Sequence, residues 1–297
     1  ISACLVGSEM CIRDRYNELK GRYSLFKKGD NPYIEQFKNA NNFNSEVIMA
    51  VSCDETADGT NKSGNFNPLM MLATPDNAAR VDDQGNPTPF YLQGQGWGQT
   101  FNVSPKFWDT YDPLDKRREV ILTKYYTTAG TWIDRNTTTW DGFIINKFPI
   151  ETATAFQGTD IPLARWADVL LMYAEAEVRK NNAVPSADAI AAVNEVRKRA
   201  GLGDLPSSAT ANVEAFLDAL LTERGHEMLY EGMRKIDLIR FNQYAQRTAK
   251  IKGVAPTHQY VPIPNYAVQQ ASESYGKVLA QTFEREGWKA DLAAARN

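Results

Sequence analysis

The chain has 297 residues with 33 Lys and Arg against 36 Asp and Glu, a formal net charge of −3, and no basic run, so nothing in it suggests the clustered cationic face that binding to a phosphate backbone requires. Hydrophobic residues make up 43% and charged residues 23%, the proportions of a globular protein rather than a disordered one. Its longest apolar runs, around Val169–Met172, are too short to cross a bilayer, and its three cysteines form no Cys-x-x-Cys pair, so neither a structural zinc site nor a disulfide framework is expected.

The first segment, Ile1–Arg15, admits two readings. Ile1-Ser2-Ala3-Cys4 fits a lipoprotein processing site with Cys4 as the lipid-bearing residue. The charged and apolar regions of a signal peptide do not precede it, however, and the string also resembles a translated sequencing adapter. It is therefore set aside as non-native, with the native N-terminus expected further upstream. Tyr16–Phe37 reads as helix, a turn at Gly29-Asp30-Asn31-Pro32, then more helix. Glu46–Val51 is a short apolar run after an Asn/Ser cluster, which predicts a strand. Ser52–Gly98 is rich in Gly, Asn, Asp, Pro and Gln without sustained periodicity, the texture of a long functional loop.

Ser104 and Pro105 suit the cap and first position of a short helix within Thr100–Tyr111. Val120–Tyr126 and Phe143–Phe148 read as strands, separated by a polar loop over Thr127–Asp141 that holds Trp132 and Trp140. From Ile161 the pattern turns helical. Pro162, Trp166, Val169, Leu170, Tyr173, Ala174 and Glu177 follow a 3.6-residue repeat. A second helix is expected over Ala187–Ala200, ended by Gly201. A third starts near Asn212, and the stretch Glu227–Asn242 is expected to break near Gly232. Trp166, Val169, Leu170 and Tyr173 also fall at the offsets that open a tetratricopeptide (TPR) repeat, where they would face the partner helix. Near the end, Tyr260-Val261-Pro262-Ile263-Pro264 must be extended, because alternating prolines remove backbone donors.

Several chemistries can be weighed from the residues. His226-Glu227 begins a zinc-protease pattern, but Tyr230 stands where the second His belongs. Asp54, Glu55 and Asp58, or Asp112 with Asp115, could offer oxygen ligands to calcium, though solvated acidic loops are commoner. No motif marks a glycosidase carboxylate pair. Arg165, Asp168, Glu175, Glu223, Arg224, Glu227, Glu231, Arg234, Asp237 and Arg240 are spaced for supporting ion pairs three and four residues apart, a structural role. The loop aromatics point to binding. Sugar rings present flat C–H faces that pack on indole and phenol rings, while polar neighbours take the hydroxyls. Trp97, Trp132, Trp140 and Tyr91 lie in Gly-, Gln- or Thr-rich surroundings and are the candidate ligand contacts, whereas Trp108 and Trp166 sit on helical faces and are expected in the core.

Arg165-Trp166-Ala167-Asp168-Val169-Leu170-Leu171-Met172-Tyr173-Ala174-Glu175-Ala176 resembles the most characteristic helix of the SusD/RagB family, and Asn194-Glu195-Val196-Arg197 with Arg199-Ala200-Gly201-Leu202 its next helix. Thr222-Glu223-Arg224, Glu227, Tyr230-Glu231-Gly232-Met233-Arg234 and Ile236-Asp237-Leu238-Ile239-Arg240 resemble the following pair. Asn44-Ser45-Glu46-Val47-Ile48, Asp115-Lys116-Arg117-Arg118 and Tyr260–Pro264 extend the likeness over most of Tyr16–Trp288. Departures are Gly225-His226, where a second Arg is common, and Arg285-Glu286 in place of a terminal Asn-Pro.

The resemblance implies a mainly α fold of TPR-like helical pairs with a few short strands and an irregular loop-rich ligand region. The expected organisation is a partial SusD-like domain over 16–288, comprising the ligand region over 16–160, helices over 161–245 and a C-terminal segment over 246–288, with a tail over 289–297. It implies a glycan-capturing subunit, not an enzyme, without cofactor or metal. Such a subunit delivers oligosaccharide to a SusC-like TonB-dependent transporter at the outer-membrane surface, held there by a lipid anchor that this chain lacks. The alternatives are a TPR-type interaction scaffold without a small ligand, or capture of a non-sugar nutrient such as a peptide.

Overall fold

In the computed structural model, which describes residues 12–54, 65–90, 96–137, 140, 142–151, 157–256, 264, 266–267 and 269–270, a helix over 12–19 is followed by the turn at Gly29–Asn31 and helix α1 (Pro32–Glu35). Asn31 caps α1 by accepting the Tyr33 N–H at 3.2 Å, and Pro32 occupies its first turn, where a missing N–H costs nothing. Strand β1 (Val47–Val51) lies where the apolar run predicted it. Helices α2 (Leu69–Ala73) and α3 (Pro105–Trp108) follow. Ser104 holds the cap position of α3 but makes no side-chain cap bond. A 3₁₀ turn at Lys116–Val120 leads into β2 (Ile121–Leu122), β3 (Lys124–Tyr126), β4 (Trp132–Asp134), β5 (Ile144–Ile145) and β6 (Ile161–Arg165). These strands form three antiparallel pairs: β1 with β6, β2 with β5 and β3 with β4.

Four expectations are corrected here. The loop over 52–98 contains α2, whose Met70, Met71 and Ala73 are buried. The strand expected over 120–126 is split at Thr123 into β2 and β3, which take different partners. The loop over 127–141 contains β4, so Trp132 stands on a strand. Residues 161–165 are strand, not helix. Pro162 lacks an N–H, but a two-stranded sheet has edges on both sides, and it pairs opposite Ala50 there.

Three long helices then form: α4 (Trp166–Asn181), α5 (Ala187–Arg199) and α6 (Val213–Glu227). Their boundaries follow the capping chemistry. Ser186 accepts the Ala189 N–H at 3.2 Å, and Asn212 accepts that of Ala215 at 2.8 Å. Gly201, at φ 81°, stops α5 in the left-handed conformation that a side chain would strain. α4 packs on both α5 and α6. Leu170, Leu171, Val193, Val196, Phe216, Leu220 and Leu221 are all buried between them. Leu170→Ala is expected to cost about 2–5 kcal/mol from the cavity it leaves, read as a lower midpoint in denaturant unfolding with an unchanged slope.

The chain divides into two units, Ile1–Glu231 and Gly232–Asn297. In the second, α7 (Arg234–Arg240) and α8 (Tyr244–Lys252) pack together. Asp237 and Arg240 make the local ion pair expected from their spacing, at 2.8 Å.

The first unit is organised around a buried charge network rather than the local pairs that helix spacing suggested. Glu227, at the end of α6, accepts from Arg165 Nη1 at 2.6 Å, from Arg117 Nη1 at 3.2 Å, and from Arg199 Nη2. Glu46, next to β1, takes Arg165 Nη1 at 2.6 Å and Arg199 Nη1 at 2.9 Å. Glu231 receives Arg165 through Nε and Nη2, both at 2.8 Å, and pairs with Lys147. Arg117 is further held by Asp115 at 2.7 Å and Glu223 at 2.6 Å. The side chains of Arg117, Arg165, Arg199, Lys147, Glu46 and Glu227 are at most 1% exposed. β1–β6 pairing creates part of this arrangement, because Val47 lies opposite Arg165 and so brings Glu46 beside it. Burial opposes the charge on Glu227, but Arg199, Arg165 and Arg117 outweigh it and hold the carboxyl well below its usual range. Burial lowers Lys147 to about 8, against the pull of Glu231. Arg224 reaches Asp168 at 2.8 Å, and Arg179 reaches Glu175 at 2.8 Å. Apart from the local Arg179–Glu175 and Arg117–Asp115 pairs, these charges join elements distant in sequence, and their role is structural.

Candidate functional site

α2 is only five residues long, so most of its carbonyls have no partner within the helix. The segment 96–101 supplies donors to them. Trp97 N–H donates to Met71 O at 2.8 Å, Gln99 N–H to Thr74 O at 3.1 Å, and Phe101 N–H to Leu72 O at 3.3 Å. This places the Trp97 loop across the end of α2. The fit depends on Gly96. A Cβ there would lie 2.2 Å from both Pro75 O and Thr74 O, well inside contact distance and against backbone that cannot swing away. Gly96→Ala is expected to displace the loop and destabilise the protein by about 1–3 kcal/mol. Near-ultraviolet circular dichroism should show altered tryptophan signals, whereas Gly98→Ala, with open space around its Cβ position but φ 78°, should leave the α2 hydrogen bonds in place.

Trp97 emerges 45% exposed, with Phe66 edge-on to its ring at 6.2 Å. Phe101 is 47% exposed and its ring lies 5.6 Å from that of Tyr230. Tyr230 in turn donates its hydroxyl to Leu69 O at 2.8 Å. Tyr230 follows α6 at φ 64°, one residue before Glu231 of the charge network, so the aromatic loop is tied to the chain beside that network. Burial pushes the Tyr230 hydroxyl well above its usual range, so it remains a donor.

The second exposed indole, Trp132, stands on the β3–β4 hairpin directly opposite Tyr126, with ring centroids 5.3 Å apart. Alternation along β3 puts Lys124 on the same face as Tyr126, and its Nζ lies 4.7 Å from the Trp132 ring. The indole N–H donates to Asp83 at 3.1 Å. The hairpin is closed by Thr127 and Thr131, whose hydroxyls meet at 2.9 Å, and is fixed to residues 77–79 by Thr128 N–H on Asn77 O and Ala79 N–H on Tyr126 O. Hydrogen bonds, that from the Asn86 backbone foremost, hold the neighbouring Asp82 carboxyl below its usual range. The result is an exposed indole at 41% accessibility with a carboxylate and an ammonium beside it.

Trp140 is different. It is half-buried, packs against Tyr125 at 5.5 Å and Phe143 at 5.4 Å, and belongs to both hydrophobic clusters of this region. Its indole N–H donates to Gln99 Oε1 at 2.9 Å, and Gln99 Nε2 donates to Gly142 O at 2.7 Å. Gln99 has φ 47°, a left-handed backbone that costs about 1–3 kcal/mol and persists where surrounding bonds fix it. Trp140 and Gln99 thus link the Trp97 loop to the core beneath the Trp132 hairpin. Tyr91 lies outside the described residues. Trp166 is buried as expected, while Trp108 is half-buried with Arg118 over its ring at 4.0 Å.

Gln99, Phe101, Asp83, Lys124 and Tyr126 were not singled out in the sequence. Lys124 and Tyr126 could have been found by alternation, given the hairpin. Among the described residues no three His, Cys, Asp or Glu side chains converge to hold a metal ion. Asp115, one of the calcium candidates, is engaged by Arg117. No described helix is long and apolar enough to cross a membrane.

Comparison with known proteins follows the same lines. The model of the SusD family matches residues 45–279. The SusD-like protein P38 of Formosa agariphila is 28% identical over 217 residues, which is 70% of this chain and 42% of that protein. The starch-binding protein SusD of Bacteroides thetaiotaomicron is 34% identical over 106 residues, 35% of this chain and 17% of that protein. A solved laminarin-binding SusD-like protein superposes with a TM-score of 0.64 at 25% identity, covering 90% of this chain and 58% of its own. The chain thus spans less than half the length of these two curated relatives.

Proposed function

Because the chain belongs to the SusD family, we propose that it is a cell-surface glycan-binding subunit that passes oligosaccharide to a TonB-dependent outer-membrane transporter. The observation that supports this most is the pair of exposed indoles, Trp97 and Trp132, each on a backbone fixed by hydrogen bonds, with Asp83 and Lys124 beside Trp132. Preorganised flat faces of this kind suit sugar rings, because binding then orders little of the protein. Asp83 and Lys124 supply groups for hydroxyl recognition. Two relatives carry starch and laminarin in their names, so α- and β-glucans are the first ligands to test. The binding role needs no catalytic group, and none is assigned.

The test is affinity electrophoresis of the folded chain through native gels containing starch, laminarin or other neutral polysaccharides. Retardation in at least one gel is expected. Unretarded migration of folded protein across a broad panel would instead favour the scaffold or peptide reading.

A further inference from the structure

Away from the tryptophans, an open cleft of about 450 Å³ lies between residues 24–28 and 40–45. Three features in and beside it point to one kind of ligand. The first is Phe43, which does not line the cleft itself but stands in the chain between the lining residues Asn42 and Asn44 and is 69% exposed. Its φ of 54° is an outlier for a bulky residue. The turn is held in that conformation by its neighbours. Asn42 Nδ2 donates to Gly158 O at 2.8 Å and its oxygen accepts Asp160 N–H at 3.0 Å. Asn44 Nδ2 donates to Asn41 O at 2.9 Å and its oxygen accepts Glu46 N–H at 2.8 Å. An aromatic ring is therefore displayed to solvent by a turn whose strained backbone is fixed on both sides.

The second feature is charge. Lys27 and Lys28 line the cleft and form no ion pair among the described residues. Lys27 also lines a neighbouring cleft of about 440 Å³, together with Lys116. Lys116 spends one of its three N–H donors on Asp30 O at 2.9 Å and makes no ion pair among the described residues. Asp30 and Glu195 also line that neighbouring cleft, as do Lys198, paired with Asp204, and Arg199 of the charge network, so the excess of cations without an ion pair among the described residues lies at Lys27, Lys28 and Lys116. It runs against the net charge of −3. The third feature is polar: Asn41 lines the same cleft, and its side-chain oxygen accepts no hydrogen bond among the described residues.

We propose that this cleft is a second saccharide site, selective for sugars that carry a carboxylate or sulfate. Phe43 would pack on a sugar face, Lys27 and Lys28 would pair with the anionic substituent, and Asn41 would accept a hydroxyl. The proposal deepens the glycan-binding reading but uses none of the residues that support it. The test is isothermal titration of the full chain with polygalacturonate, dextran sulfate, neutral laminarin and sodium sulfate. Binding of at least one acidic polysaccharide is expected, weakening as salt rises. A variant combining Phe43→Ala, Lys27→Gln and Lys28→Gln should lose at least about tenfold of that affinity. Trp97→Ala, Lys250→Gln and Lys252→Gln should each retain it. The first variant separates this site from the tryptophan surface, and the other two separate it from diffuse electrostatics. Tight binding of sodium sulfate alone would show a simple anion site and overturn the saccharide reading. So would unchanged affinity in the triple variant, equal losses in the Lys250 and Lys252 variants, or no acidic polysaccharide binding at low salt.

Discussion

Replacing Glu227 by Gln should destabilise the first unit by about 3–5 kcal/mol, the cost of removing one partner from a buried ion cluster. Gln keeps the size of the side chain but leaves Arg117, Arg165 and Arg199 converging on a neutral amide, in which an NH2 donor replaces one of the accepting carboxylate oxygens. For a unit of this size that corresponds to a drop of roughly 6–20 °C in Tm, measurable by calorimetry. The partly exposed surface pair between Lys38 and Glu35 is the comparison. Glu35→Gln should cost less than about 1 kcal/mol, because solvent screens it. Acidity gives an independent check. The folded-state pKa values of Glu227 and Glu231 lie below their unfolded values. Their stabilisation is therefore complete above the unfolded value near 4.5 and is lost as pH falls below it. Tm should stay nearly level from neutral pH down to about 5 and then fall, with a shallower fall in the Glu227→Gln protein.

Trp97→Ala should reduce affinity for the preferred neutral glycan roughly thirtyfold, the consequence of losing about 2 kcal/mol at a central aromatic contact. The fold should survive, because the loop is held by the backbone donors of Trp97, Gln99 and Phe101 rather than by the indole. Trp132→Ala should act similarly. Trp140→Phe is expected to behave otherwise. It keeps most of the packing against Tyr125 and Phe143 but removes the bond to Gln99 Oε1, so affinity should fall by less and through loosening of the Trp97 loop. Hydrogen exchange at the Trp97 and Gln99 amides would show that loosening directly.

The long helices were readable because periodicity and capping agree there. Ser186, Asn212 and Gly201 mark ends that the structure places within a residue. Strand β6 was missed because Ile161–Arg165 is as compatible with a helical repeat as with a strand, and only pairing with β1 decides it. Helix α2 was missed for a similar reason: five residues carry too little period, and its end is completed by the Trp97 loop some 25 residues later. The charged helix positions were rightly read as structural, but their partners were not. Spacing along a helix reveals neighbours three or four residues away, whereas Arg165 takes its partners from Glu46, Glu227 and Glu231. The aromatic surface was partly legible. Glycine around Trp97 and polarity around Trp132 suggested exposure, but Phe101, Gln99 and Phe43 depend on backbone angles and contacts that no local pattern encodes.

The measurement that bears most directly on glycan capture is intrinsic tryptophan fluorescence during titration with laminarin and with soluble starch, run on the wild-type chain, Trp97→Ala and Trp132→Ala. The account predicts a saturable shift with at least one of these glucans, weakened by about thirtyfold in either variant. A saturable shift that persists unchanged in both variants would contradict the assignment of the exposed indoles as the binding surface.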